Sequence, residues 1–320
     1  MATSPSPERA RRRPTQTRSF GSGKRENHDA AGFYRRFAPP QVSEDAEVRR
    51  PIVRDRLFCG DAAAMTESQV ADKSVALVVT SPPYFAGKDY EQELGRGVVP
   101  ANYVGYLDKL YQVLAVCADK LEPGGRMAIN VANLGRKPYR SLSADVISIL
   151  QDDLGLLMRG EVIWRKARGA GGSCAWGSYR SPANPVLRDV TERVIIASKG
   201  RFDRALPRRR RQELGLPHEP TIETQEFLDA TLDVWQIAPE SASRVGHPAP
   251  FPVDLPRRLI ELYTYRDDLV LDPFMGSGTT AVAALGAGRH YVGFDTDPEY
   301  LALAESRITD WHEQQAENGR

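Results

Sequence analysis

An α/β fold with a mostly parallel sheet covered by helices is predicted by three features of this 320-residue chain. The C-terminal part alternates strand-like "LVLD" (269–272), helix-like "TTAVAALGAG" (279–288), strand-like "HYVGFD" (290–295) and helix-like "PEYLALAESRITDW" (298–311). Such alternation builds βα units, whose crossovers make neighbouring strands parallel. Upstream, "VALVVT" (75–80) is a nearly continuous apolar run, the pattern of a strand covered on both faces. Between these regions Tyr103, Leu107, Leu110, Leu114 and Cys117 recur at steps of four, three, four and three, which is one face of an amphipathic helix.

Each element follows in order. Residues 1–50 are rich in Ser, Pro and Arg, with few large apolar side chains, and predict a disordered basic tail. Order is expected from "LFCGDA" (57–62), a short strand ending at Gly60-Asp61. The strand at 75–80 runs into Ser81-Pro82-Pro83-Tyr84, where two prolines remove backbone donors and stop any regular element. The helix at 103–117 exits at "LEPGG", "RMAINVAN" (126–133) is a second buried strand, and "LSADVISILQDDLG" (142–155) is a helix with Ser143 as its cap. "RGEVIWRK" (159–166) and "ERVIIASK" (192–199) are strand-like, with a Gly/Ser/Pro-rich stretch between them, and a helix starts near Asp254. Residues 51–164, 165–245 and 246–320 are therefore read as two halves of one domain flanking an inserted region.

Composition narrows the class. No apolar run approaches the ~20 residues of a membrane span. The N-terminal arginines are followed by no apolar signal core. Cys59, Cys117 and Cys174 are far apart, which supports neither a disulfide framework nor a metal site and points to the reducing cytoplasm. The net charge of +1 conceals a concentration of basic residues. Residues 165–211 hold 13 Lys/Arg against 3 Asp/Glu, and "RFDRALPRRRR" (201–211) alone holds six arginines. A basic segment on a neutral or acidic body suggests a polyanion contact.

"VLDPFMGSGTTAVAAL" places a strand, a carboxylate, two close glycines and a helix start in succession. Gly276 and Gly278 allow close approach of a ligand to the backbone, and the helix behind them presents free N–H groups. Asp295, 19 residues past Gly276, stands where a carboxylate can bond ribose hydroxyls. A Walker-type loop is excluded because "GSGTT" has no lysine. The turn alone leaves a dinucleotide and S-adenosylmethionine both open. Asp272, at the strand tip before the glycines, suits a ligand bearing an ammonium group and would repel a pyrophosphate.

"TSPPY" (80–84) with "DPFMGSGTT" (272–280) resembles the DNA amino-methyltransferases, which methylate exocyclic nitrogens of cytosine or adenine. "LFCGDA" (57–62), "HPAPFPVDLPRRLIELY" (247–263) and "YVGFDTDPEYLALAESRI" (291–308) are similar to blocks that flank the cofactor pocket in that family. About 190 residues separate Tyr84 from Asp272. This order, catalytic block before cofactor turn, resembles the β class, with the target-recognition segment between the two. "AWGSYRSPANPVLRDVTERVIIASKG" (175–200) also resembles members of the class.

The resemblance implies a circularly permuted Rossmann-like methyltransferase fold, a seven-stranded sheet with one antiparallel strand, and S-adenosyl-L-methionine as cofactor. The cofactor pocket would be lined by Asp61, Thr80, His247, Pro252, Asp272, Phe274, Gly276, Gly278, Thr279 and Asp295, with Asp297 an alternative to Asp295 at the ribose. The Ser81 side chain and the Pro82 carbonyl would accept hydrogen bonds from the amino group to be methylated. Pro83 would stiffen that arrangement and Tyr84 would stack on the base. The target base in double-stranded DNA would be flipped out of the helix. A first-position serine, Ser81, points to N4 of cytosine, with N6 of adenine as the alternative. None of the three cysteines follows a proline, which speaks against the C5-cytosine family, whose nucleophile lies in a Pro-Cys pair. DNA contacts are expected from Arg165, Lys166, Arg168, Trp176, Tyr179, Arg180, Arg201, Arg204, Arg208, Arg209, Arg210 and Arg211. A dinucleotide-dependent oxidoreductase is the rival reading. A restriction endonuclease, where one exists, is expected as a separate polypeptide, and the enzyme as a monomer or homodimer.

Overall fold

Apolar runs bounded by Gly, Pro and Asp become strands of one sheet. The computed structural model of the protein describes residues 42–83, 102–133, 139–166, 177–240 and 251–318, all within one compact unit, Val42–Arg320. The strands are β1 (Arg56–Cys59), β2 (Val75–Thr80), β3 (Leu121–Val131), β4 (Leu157–Lys166), β5 (Thr191–Ser198), β6 (Val234–Ile237), β7 (Leu269–Asp272) and β8 (His290–Asp295). Their order across the sheet is β1-β8-β7-β2-β3-β5-β4-β6. Strand β5 is antiparallel to both its neighbours, and all other pairs are parallel. The sheet thus has eight described strands where seven were expected, with the one antiparallel strand in place. The additional strand is the short edge strand β6.

Successive side chains of a strand point to opposite faces, and this sorts the core into two layers. Val78, Ile129, Ile195, Leu271 and Phe294 face one way and pack with α1 (Tyr103–Lys120) and α2 (Leu142–Ser148). Leu77, Val79, Ala128, Val194 and Val270 face the other way. They pack with α5 (Asp254–Tyr263), α6 (Thr279–Gly286) and Ile308 of α7 (Pro298–Asn318). Two further short α-helices among the described residues are α3 (Arg208–Glu213) and α4 (Thr224–Ala230). The cap of α2 is Ser141, whose hydroxyl accepts from Ala144 N, while Ser143 is buried inside the first turn. Among the described residues no helix is long and apolar enough to cross a membrane.

Two differences from expectation concern the chain's path. Residues 42–50 are not tail: Ser43 N donates to Gly200 O (2.6 Å), Arg49 N to Lys73 O (3.0 Å) and the Arg50 guanidinium to Leu214 O (2.9 Å). Residues 1–41 lie outside the described residues. Secondly, β5 splits the basic segment. Its eight residues, at about 3.3 Å each, carry the chain ~25 Å from the end of the sheet holding Ser81 to the opposite end. Arg165, Lys166, Tyr179 and Arg180 precede it, and Arg201, Arg204 and Arg208–Arg211 follow it.

Candidate active site

Parallel strands bring their C-terminal ends together, and here four adjacent ends carry the polar residues that the sequence singled out. Thr80 ends β2 and Asp272 ends β7, which lies beside it. Thr80 Oγ1 donates to Asp272 Oδ1 (2.6 Å), Thr280 Oγ1 to Asp272 Oδ2 (2.5 Å), and Phe274 N to Oδ1 (3.0 Å). One carboxylate therefore ties the Ser81-Pro82-Pro83 turn to the Gly-rich turn and to the first residues of α6. Asp272 is 0% exposed, so the direct ammonium contact expected of it is not available. Burial pushes its carboxyl up to about 6, against the pull of the Thr280 and Thr80 hydroxyls.

The turn after β7 is held from two sides. Gly276 and Gly278 both take positive φ, 51° and 79°. Gly276 N donates to Asp295 Oδ2 (2.7 Å), and Met275 N to Phe294 O (2.8 Å) of neighbouring β8. On the other side, Arg307 of α7 donates to Ser277 O (2.6 Å), Ser277 Oγ (3.0 Å) and Thr279 Oγ1 (3.1 Å). A Cβ at Gly278 would stand 2.8 Å from that of Ala304. The glycine is demanded by the packing of α7, a reason distinct from ligand approach. Arg307 was missed by sequence reasoning; its place one helical turn from Ala304 is the only signal of it.

Of the two strand-tip carboxylates after β8, Asp297 caps α7 by accepting from Glu299 N (2.8 Å). Asp295 accepts from Gly276 N and from Asp297 N (3.0 Å). It is partly buried, and burial raises its carboxyl above the usual range despite those donors. Gly60 N donates to Asp295 O (2.8 Å), so Asp61 stands next to this site. Asp61 accepts from Ala63 N (3.0 Å) and is ion-paired with Lys109 of α1. Partial burial opposes its charge, but these partners hold its carboxyl below the usual range. Phe274 is half-buried against the core, while Thr80, Thr279 and Pro252 are buried.

Ser81 follows β2, and Asn130 of β3 lies beside it. Asn130 Nδ2 is 3.4 Å from Ser81 Oγ and donates to Glu192 Oε2 (2.7 Å), while Lys166 pairs with Glu192 Oε1 (2.7 Å). Tyr84, His247, Arg168 and Trp176 lie outside the described residues.

The basic residues divide into two groups. Arg165, at the Ser81 end of the sheet, and Tyr179 and Arg180 in the connection that follows are all exposed. Lys166 is half-buried and ion-paired, so it is not a free phosphate contact. Arg204 and Arg211 are corrections of a different kind. Arg211 is 1% exposed; it reaches Glu122 (3.0 Å), Asp268 (3.2 Å) and Pro217 O (2.6 Å). Arg204 pairs with the same two carboxylates. Burial works against the Glu122 charge, but the two guanidiniums keep its carboxyl below the usual range. Both arginines close the N-terminal ends of β3 and β7. Arg201, which pairs with Asp203, and the exposed Arg208, Arg209 and Arg210, of which the last two pair with Glu213, share that remote end. The run 201–211 thus lies at the end of the sheet opposite Ser81, where β5 delivers it, with Arg204 and Arg211 engaged in buried ion pairs.

Comparison with known proteins agrees with this arrangement. Residues 75–306 match the N6/N4 methyltransferase family model, described as DNA methylase. The Type II methyltransferase M.BglI of Bacillus subtilis is 27% identical over 304 residues, covering 78% of this chain and 84% of its own. Among solved structures, TTHA0409 of Thermus thermophilus, crystallised with S-adenosyl-L-methionine, is 27% identical with a TM-score of 0.59. The match covers 80% of this chain and 93% of that one. The cytosine-N4-specific PvuII DNA methyltransferase shares the fold at 22% identity and a TM-score of 0.58, over 83% of this chain and 95% of its own.

Proposed function

The chain belongs to the N6/N4 DNA methylase family, and from that premise we propose that it transfers a methyl group from S-adenosyl-L-methionine to N4 of cytosine in double-stranded DNA. The observation that carries this reading is the Thr80–Asp272–Thr280 bridge, which fixes the Ser81-Pro82-Pro83 turn against the Gly-rich turn. Cofactor and methyl acceptor would then meet across one hydrogen-bonded carboxylate.

The donor set fits the cofactor. The positive-φ backbone at Gly276 and Gly278 and the start of α6 form a cradle for its methionine part. Asp295, part-exposed at the tip of β8 and held there by one backbone N–H on each oxygen, would take the ribose, while Asp297 caps α7. Asp61 and Phe274 flank the adenine side, and Pro252 with His247 would close the pocket. When bound, the cofactor supplies an electrophilic methyl group on a sulfonium. The chain's own part is to prepare the nucleophile. The lone pair of an exocyclic amino nitrogen is delocalised into its ring. Ser81 Oγ and the Pro82 carbonyl, accepting one N–H each, draw that nitrogen towards a tetrahedral shape and aim its lone pair. Such acceptors work because they are fixed before the substrate arrives, and consecutive prolines make this turn stiff. Tyr84 would stack on the flipped base.

The choice of cytosine N4 rests on Ser81. Arg165, Tyr179 and Arg180, with Arg168 and Trp176, are proposed to face the DNA; the phosphate contacts among them would give salt-sensitive affinity. Expression in a bacterial host lacking DNA methylation, followed by nucleoside mass spectrometry and single-molecule sequencing, tests the reading. N4-methylcytosine at one sequence context is expected. N6-methyladenine would reassign the base, and unmodified DNA from a host making folded protein would overturn the function.

A further inference from the structure

Beside the proposed acceptor Ser81 lies a buried polar chain that the mechanism above does not use. Asn130 follows Ile129, the partner of Thr80 in the β2–β3 ladder, and itself pairs with Val194 of β5. That register sets its side chain between Ser81 and Glu192. Its amide nitrogen donates to Glu192 Oε2 at 2.7 Å and stands 3.4 Å from Ser81 Oγ. Glu192 is 7% exposed, and its second oxygen takes the Lys166 ammonium at 2.7 Å. Lys166 also lies 5.5 Å from the Trp164 ring centroid, and that indole is fixed by its own bond to Ile237 O (2.9 Å). The chain Lys166–Glu192–Asn130–Ser81 thus crosses four strands, β4, β5, β3 and the end of β2.

The chemistry of the members gives the chain a direction. An ionised carboxylate only accepts hydrogen bonds, whereas an asparagine amide has a donating and an accepting end. Glu192 therefore selects the NH2 end of Asn130, and the second N–H of that group is aimed at Ser81 Oγ. The 3.4 Å separation is a loose hydrogen bond, of the kind that tightens when a substrate is seated. A hydrogen bond from Asn130 to one lone pair of Ser81 Oγ restricts the rotation of that hydroxyl and so the direction of the oxygen. A buried ion pair is a poor device for stability, because an apolar residue of similar size serves as well. It is an effective device for fixing the orientation of an amide.

We propose that Glu192, anchored by Lys166, is a positioning residue that acts through Asn130 to aim the Ser81 oxygen at the amino group being methylated. The inference rests on the function proposed above and names residues that neither the Ser-Pro-Pro-Tyr motif nor the Gly-rich turn contains.

The test is a double-mutant cycle in the full-length protein with Glu192→Gln, Asn130→Ala and the two combined. The readouts are the single-turnover rate of methyl transfer to duplex DNA, cofactor and DNA affinities, and thermal unfolding. Each single change is expected to lower the transfer rate by ~10–100-fold, the scale of a misaimed reacting group, with cofactor affinity within about twofold. The double variant should be no slower than Asn130→Ala alone, because Glu192 acts only through Asn130. Should Glu192→Gln not fold, Glu192→Asp, which keeps the charge but withdraws the oxygen, takes its place in the cycle. Undiminished transfer by the Glu192 variant, multiplying effects in the double variant, or a loss of rate matched by a loss of cofactor affinity would each overturn the inference. A wild-type protein that methylates no DNA would bring down the function as well; an active wild type beside an equally active Glu192 variant brings down this inference alone.

Discussion

Replacing Thr80 by Val tests the bridge between the two turns with almost no change of shape. Val suits a buried strand, and the substitution removes one donor from a carboxylate that is wholly buried. The cost depends on the charge of Asp272. With its carboxyl raised from 3.8 to about 6, Asp272 is mostly ionised at pH 8 and mostly protonated at pH 5. A hydrogen bond to a charged group contributes ~1.5–3 kcal/mol and a neutral one ~0.5–1.5 kcal/mol. Thr80→Val should therefore cost about 2 kcal/mol at pH 8 and about 1 kcal/mol at pH 5. The wild type has its own dependence. A carboxyl raised in the folded state favours folding most below about pH 4. That contribution disappears as pH rises through about 6, by roughly 3 kcal/mol in all. Urea denaturation at pH 5, 6, 7 and 8 measures both effects. A penalty that is the same at pH 5 and pH 8, or absent at both, would refute the account of Asp272 as an ionising anchor held by Thr80.

Three further outcomes are expected. Arg211→Met should destabilise the protein by ~3–5 kcal/mol, since it leaves Glu122 and Asp268 buried with one guanidinium between them; unfolding with denaturant measures this. If Arg211 instead contacted DNA, stability would hold and the salt slope of DNA binding would change. Arg307→Met should weaken S-adenosyl-L-methionine binding by roughly 1–2 kcal/mol, the scale of a lost charge-assisted bond. Calorimetric titration would detect it, and unchanged affinity would show that the turn holds its shape without α7. Gly278→Ala should lower the unfolding midpoint, with about 1–3 kcal/mol lost to strain at a positive φ and to contact with Ala304; a fully stable variant would contradict the close packing of α7 on the turn.

The parts legible in the sequence are those whose signal is local. The β7–α6–β8–α7 alternation, the apolar run of β2 and the spacing of α1 could each be read within a short window, and the Ser-Pro-Pro and Gly-Ser-Gly turns announce themselves by residues with restricted or unusual dihedrals. The cap of α2 was misplaced by two residues, because Ser141 and Ser143 are the same residue type and only the backbone of the first turn decides between them. Strand β6 was overlooked because four residues carry too little alternation. The arginines show the deeper limit. Nothing near Arg204 or Arg211 marks them as buried; their partners Glu122 and Asp268 are 57 to 89 residues away, and topology alone brings them together. The same holds for Asn130, Glu192 and Lys166 at the site itself.

The hairpin formed by β4 and β5 also bears on how specificity can change. Lys166 N donates to Val190 O (3.1 Å), and Arg165 stands opposite Thr191 in the ladder. The ladder thus holds the two ends of the intervening chain side by side. A connection whose ends are tethered in this way can be exchanged or lengthened while the strands stay in register, since the entropy of closing a connection grows slowly, by about 0.6 kcal/mol per doubling of length. On the function proposed above, in which this connection meets the DNA, new target sequences would be acquired by replacing one stretch of chain while the Ser81 and Asp272 turns are inherited unaltered.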